Sequence, residues 1–213
     1  MTETNTPTTR RELHGAPSAE GRVTRLVIMG PQGAGKGTQA ARLAEIFEIP
    51  AISTGDIFRA NIAGGTELGK LAQEYSAKGE LVPDEVTDSM VRDRLAEDDV
   101  HAGFLLDGYP RNAHQVEALD AILGDLGWEL DGVIELTAAR DELLERIAKR
   151  AEVEGREDDT PAAIERRLDI YDAETAPLTA AYAERGILAQ VDGLGEISEV
   201  TDRIVAALAQ QLG

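Results

Sequence analysis

The chain contains no cysteine. Disulfides are excluded, and so is any thiolate-held metal centre, including a cysteine-bound structural zinc. Long apolar runs are missing too, so no stretch of the sequence is long enough to span a bilayer. The first residues, Met1-Thr2-Glu3-Thr4-Asn5-Thr6-Pro7, lack the apolar segment of a secretory signal. His14, His101 and His114 are the only histidines and are scattered, which disfavours histidine-bound metal. Positive charge is scarce: 21 Lys plus Arg stand against 40 Asp plus Glu, a net charge of −19. That balance argues against a basic nucleic-acid surface. These absences point to the cytoplasm, with no nucleic-acid or membrane partner.

What is present fits one domain. A chain of 213 residues can bury a sizeable core. The acidic excess reads equally as a salt or solubility adaptation and as an ordinary solvated surface. It repels anions at long range, so a phosphate site here must focus positive charge locally. The cations are mostly arginine, which suits bidentate phosphate clamps.

One stretch dominates. The apolar run Leu26-Val27-Ile28-Met29 leads into Gly30-Pro31-Gln32-Gly33-Ala34-Gly35-Lys36-Gly37-Thr38, and a helical pattern (Ala40, Ala41, Leu43, Ala44, Ile46, Phe47) leaves it. Strand, glycine-rich loop, lysine and helix form a phosphate cradle. Its backbone N–H groups and the helix dipole face the anion, and Lys36 reaches the β- and γ-phosphates. A threonine usually follows the lysine directly; here Gly37 intervenes before Thr38.

Along the chain, residues 1–21 read as a disordered tail and 22–213 as the folded domain. Strands are expected at Val23–Met29, Pro50–Ile52, Gly103–Leu106, Gly132–Leu136 and Ile187–Val191. Helices are expected between them. One starts at Ser53-Thr54-Gly55-Asp56, one spans Thr66 to Lys78, and one opens at Pro83-Asp84. Others run from Ala113 to Leu123 behind an Asn112 cap and from Asp141 to about Ala151, with Leu143, Leu144 and Ile147 inward. A charged loop covers Glu152 to Thr160. A long helix from Pro161 reaches about Ala183, with an interruption near Pro177, and Ile197 to Leu212 is the last. The alternation predicts an α/β fold with a parallel five-stranded sheet covered on both faces, and ligands at the strands' carboxyl ends.

Three polar segments follow strands: the glycine loop, Ser53-Thr54-Gly55-Asp56, and Asp107-Gly108-Tyr109-Pro110-Arg111. With Thr175-Ala176-Pro177-Leu178 they resemble the adenylate kinase family, over about Arg25 to Gly213. The resemblance implies the P-loop nucleoside monophosphate kinase fold, with an AMP-binding lobe at 53–82 and a lid at 149–159. Only Ala151-Glu152-Val153-Glu154-Gly155 separate Arg150 from Arg156, which is similar to the short-lid bacterial members and implies no lid zinc. The implied reaction moves the terminal phosphoryl group of Mg·ATP to AMP and gives two ADP. The family likeness also implies a monomer.

The resemblance assigns roles residue by residue. Gly33, Ala34, Gly35, Lys36, Gly37 and Thr38, with Arg146, Arg150 and Gly195, would hold ATP. Thr54, Arg59 and Gln115, with the backbone of Glu80, Leu81 and Val82 and the turn Gly108, Tyr109, Pro110 and Arg111, would hold AMP. Arg156 and Arg167 would also belong to the AMP site and converge on the phosphates. Lys36, Arg111, Arg146, Arg150, Arg156 and Arg167 would carry the transfer, and Asp107 would hold Mg²⁺ through water. The resemblance also implies closure, with hinges near Gly64-Gly65, Gly79 and Gly155. Arg140 and Arg166 read as solvated surface charges. Two alternatives stand beside this reading: a UMP or CMP kinase of the same fold, against which Thr54 and Gln115 argue, and a non-catalytic ATP-binding switch, against which the arginine set argues.

Overall fold

The computed structural model describes residues 24–154 and 160–212. β1 (Thr24–Met29) runs through the glycine loop into α1 (Lys36–Phe47), and β2 (Ala51–Ser53) runs directly into α2 (Thr54–Ala63). Then come α3 (Glu67–Ser76), α4 (Asp84–Leu95), β3 (Gly103–Asp107), α5 (Ala113–Leu126), β4 (Gly132–Thr137) and α6 (Arg140–Glu154). The chain ends with α7 (Pro161–Ile170), a π-turn (Tyr171–Thr175), α8 (Leu178–Glu184), β5 (Leu188–Asp192) and α9 (Ile197–Leu212). The expected tail at 1–21 and the lid residues 155–159 lie outside the described residues.

The sheet is five-stranded and parallel, in the order β2-β3-β1-β4-β5. Its strands alternate between two cores, as a period of two requires. Leu26 and Ile28 of β1, Leu105 of β3 and Ile134 and Leu136 of β4 face α1 and α9. Val27, Met29, Phe104, Leu106 and Val133 face α4, α5 and α8 on the other side. Both layers are dry: Leu26, Val27, Phe104 and Leu106 are fully buried. The fold class expected from the alternating pattern is therefore the one observed.

Helix starts follow local chemistry. The Ser53, Asn112 and Thr160 side chains accept from the N–H groups of Asp56 (3.2 Å), Gln115 (2.9 Å) and Ala163 (3.2 Å), capping α2, α5 and α7.

Two expectations change. α6 runs through Glu154, past the expected loop start at Glu152, because Ala151 and its glutamate neighbours are compatible with helix. Leu144 is 43 % exposed rather than inward. Leu143 and Ile147 lie four residues apart on one stripe, and Leu144 stands a step around the helix. The helix from Pro161 is interrupted near Pro177, as expected: α7 gives way to the π-turn that ends at Thr175, and α8 starts at Leu178. Proline has no N–H to continue the ladder, and the Ala176 N–H reaches back five residues to the Tyr171 carbonyl at 2.8 Å.

Candidate active site

Register brings the site together. Asp107, the last residue of β3, pairs with Ile28 of β1 and with Ser53 of β2. The three polar segments therefore leave the sheet side by side at its carboxyl edge. Gly33 has φ +87°, and a Cβ there would stand 2.8 Å from the Leu143 carbonyl oxygen. Glycine alone lets the loop turn this way while lying directly on α6.

Inside the loop, the Lys36 Nζ donates to the carbonyl oxygens of Gly30 (2.8 Å) and Pro31 (3.0 Å). Two of its three N–H bonds hold the loop and, among the described residues, the third remains for a ligand. Burial lowers the Lys36 pKa to about 8; Asp107 opposes the shift, and Arg111 and Arg150 reinforce it. A Cβ on Gly37 would stand 4.0 Å from an Asp107 carboxylate oxygen, so the loop and that carboxylate face each other. Thr38 is exposed at the first turn of α1. On the far side, a Cβ at Gly193 would lie 3.0 Å from the Ala34 carbonyl oxygen. This places the β5–α9 turn that carries Gly195 against the glycine loop.

The second half is built on α2 and the turn after β3. Thr54 is 2 % exposed, and its hydroxyl donates to the Gly108 carbonyl at 3.0 Å. The Arg111 Nε donates to the same carbonyl at 2.7 Å. Gly108 has φ +86°, and a Cβ there would stand 2.6 Å from the Thr54 hydroxyl oxygen. Burial lowers the Arg111 pKa; Asp107 opposes, and Arg167 and Arg59 add to the drop. Arg59 is ion-paired with Asp56 on α2. Tyr109 is buried, and its hydroxyl donates to Asp88 at 2.7 Å; burial and that hydrogen bond push its pKa up. Pro110 follows it across a cis peptide bond. Gln115 is 2 % exposed, and its side-chain oxygen accepts from the Arg111 backbone N–H at 2.8 Å. Glu80, Leu81 and Val82 form the α3–α4 connection. Just before it, a Cβ on Gly79 would meet the Ala163 carbonyl of α7 at 2.5 Å.

The arginines divide. Lys36 and Arg111 both lie within electrostatic reach of Asp107; Arg150 acts on Lys36, and Arg59 and Arg167 act on Arg111. Arg146 lies on α6 with its Nε on Glu142 (2.8 Å) and an Nη on the Gly193 carbonyl (3.0 Å). Arg167 also donates to the Ser76 carbonyl at 3.1 Å, joining α7 to the end of α3. Arg156 lies outside the described residues. Arg140 is exposed and pairs with Asp169 and Asp172 at 3.4 Å, and Arg166 is exposed, both as expected of surface charges.

Sequence reasoning assigned no role to the supports. Asp84 holds the Gln115 amide at 2.7 Å, and the Thr175 hydroxyl in the π-turn donates to the Arg111 carbonyl at 2.6 Å. Thr175 was visible inside a motif; Asp84 looked only like a helix opener.

Mg²⁺ keeps most of its waters and binds through one or two carboxylates plus substrate phosphates. A single carboxylate facing the glycine loop suits it. Among the described residues no three His, Asp or Glu side chains gather into a protein-only metal cage. No described helix is long and apolar enough to cross a membrane.

A lysine-bearing glycine loop between the first strand and helix of a parallel sheet, with arginines converging on it, defines a P-loop phosphate-binding protein of the α/β class. The adenylate kinase family model matches residues 28–187. The chain is 60 % identical to the adenylate kinase of Kocuria rhizophila over 186 residues, covering 87 % of this chain and 99 % of that protein. It is 60 % identical to that of Bifidobacterium longum over 184 residues (86 % and 99 %), and 56 % identical to that of Thermobifida fusca over 184 residues (86 % and 97 %). The chain belongs to the adenylate kinase family and is a nucleoside monophosphate kinase.

Proposed function

We propose that the chain catalyses reversible transfer of the γ-phosphoryl group of ATP to AMP, giving two ADP. The observation that carries this reading is a chain of cations at the sheet's carboxyl edge: Lys36 and Arg111 both feel Asp107, Arg150 lies within electrostatic reach of Lys36, and Arg59 and Arg167 lie within reach of Arg111. Two nucleotides placed phosphate to phosphate bring several negative charges together, and this cluster suits that burden.

The backbone of Gly33 to Thr38 and the ammonium of Lys36 hold the donor phosphates, with Gly195 beside the donor. Thr54, Gln115 and the backbone of Glu80 to Val82 hold the acceptor nucleoside. Arg59 and Arg111 grip its phosphate, with Gly108, Tyr109 and Pro110 flanking it. An acceptor phosphate oxygen forms the new P–O bond as the bond from the γ-phosphorus to the β-phosphate bridging oxygen breaks; ADP leaves. The acceptor is already ionised, so no general base is required. Arg146, Arg150, Arg156 and Arg167 offset the charge spread over the transferred group, so positioning and electrostatics supply the rate. Asp107 would hold Mg²⁺ through water, and the bound ion would neutralise phosphate charge.

The same reading includes closure of the 53–82 lobe and the 149–159 lid over the nucleotides, excluding water. Gly65 and Gly79, at φ +64° and +71°, flank α3 as hinges; Gly155 lies outside the described residues. It also includes a cytoplasmic monomer. A coupled assay with ATP and each of AMP, UMP, CMP and GMP tests the main claim. AMP is expected to give two ADP. Preference for UMP or CMP would favour a pyrimidine kinase, and ATP binding without turnover a switch.

A further inference from the structure

Gln115 is buried, and its carboxamide is held from both sides. The Arg111 backbone N–H, which can only donate, gives to its oxygen at 2.8 Å. The Asp84 carboxylate accepts from its nitrogen at 2.7 Å. Turning the amide over would set its NH₂ against the Arg111 N–H and its oxygen against the Asp84 carboxylate. Both contacts would become repulsive, so one orientation is imposed. Asp84 is itself fixed at the N-terminus of α4, where the helix dipole favours a carboxylate, and it accepts from the Asn112 amide at 3.0 Å. Asn112 in turn caps α5, the helix that carries Gln115.

We infer that Asp84 is the specificity-determining residue for the acceptor base, acting through Gln115. The inference rests on the proposed function, in which Gln115 faces the base of AMP. A held amide still offers one oxygen lone pair and one N–H. That pair matches a 6-aminopurine, whose N6 donates and whose N1 accepts. A 6-oxopurine presents the reverse pattern, an accepting O6 and a donating N1–H. It could be satisfied only by a turned amide, which Asp84 and Arg111 forbid. Discrimination therefore comes from leaving polar groups unpaired against the wrong base, the stronger form of selectivity.

AMP and IMP differ only at these two positions, so the experiment compares their kcat/KM ratio in the full-length protein. Asp84→Asn supplies a group that donates as well as accepts, which removes one of the two contacts holding Gln115 and leaves the Arg111 N–H alone to oppose the turn. The AMP-over-IMP ratio is expected to fall about tenfold or more. Gln115→Ala should collapse the ratio toward unity. Arg92→Ala breaks an exposed ion pair between α4 and α5 and touches none of Asp84, Asn112 or Gln115, so its ratio should match the wild type. If Asp84 were only structural, Asp84→Asn would lower melting temperature, or activity on both nucleotides alike, with the ratio unchanged; that result overturns the inference. If Gln115→Ala also left the ratio unchanged, base reading by Gln115 would be the failed premise. Asp84→Ser makes the same comparison should the asparagine variant not fold.

Discussion

Lys36 and Arg59 serve the two halves of one site and are held in opposite ways. Lys36 is half-buried, tied to two carbonyls of its own loop, and stands at the start of a helix that buries Gln39, Ala40, Leu43 and Phe47. Arg59 is 40 % exposed at its side chain and paired with Asp56 on a helix whose buried residue is Thr54. α3 beside it buries only Gly69 and Ala72. Segments with little apolar burial open locally at low free energy. The donor loop is therefore rigid and the α2–α3 lobe of the acceptor half soft. A rigid half keeps cations apart from their counter-charges at the expense of desolvation, as the lowered Lys36 pKa records. A soft half can close around its ligand.

Four measurements press on that contrast. Lys36→Met should reduce kcat about 10³-fold with near-native melting temperature, because an aligned, half-buried charge is lost while its stem still packs. A small effect would mean the donor half does not depend on its fixed cation. Arg111→Lys retains charge but loses the Nε donor to Gly108, and kcat should drop about 10²-fold. Unchanged kcat and KM would remove Arg111 from its role. Gly69→Ala tests the soft half. A Cβ there would overlap the Asn61 carbonyl of α2, so overpacking of about 2 kcal/mol should outweigh the gain in helix propensity. Hydrogen exchange should quicken in α2 and α3 and stay unchanged in β1 and α1; equal loss in both would erase the contrast.

The smallest effect is in pH. The Lys36 pKa is lowered to about 8, so its ammonium is lost as pH rises through that value. kcat/KM for ATP should fall about twofold between pH 7 and 8 and about tenfold per unit well above it. A profile flat to pH 10 would show the charge is not needed in the free enzyme.

Local chemistry made much of this legible beforehand. Leu26 to Met29 followed by spaced glycines and Lys36 could be little else, and Asp107 announced itself as a polar end to the buried run Phe104-Leu105-Leu106. Ser53, Asn112 and Pro161 marked helix starts within a residue. What stayed hidden were pairings across long separations: Gln115 with Asp84, Arg167 with Ser76, Thr175 with Arg111. No periodicity encodes them, because they arise only once the sheet has stacked its edges. The π-turn escaped for a related reason: Pro177 signals a break, but its place depends on which carbonyl Ala176 finds.

The register of β3 has a consequence for how this enzyme can vary in length. Asp107 reaches the site because Leu105 fills one core while Phe104 and Leu106 fill the other. One residue inserted within the strand would exchange the two layers and turn the carboxylate to the opposite face. Insertions and deletions are thus barred from the sheet and have to accumulate in connections between helices, where closing a longer loop adds little free energy.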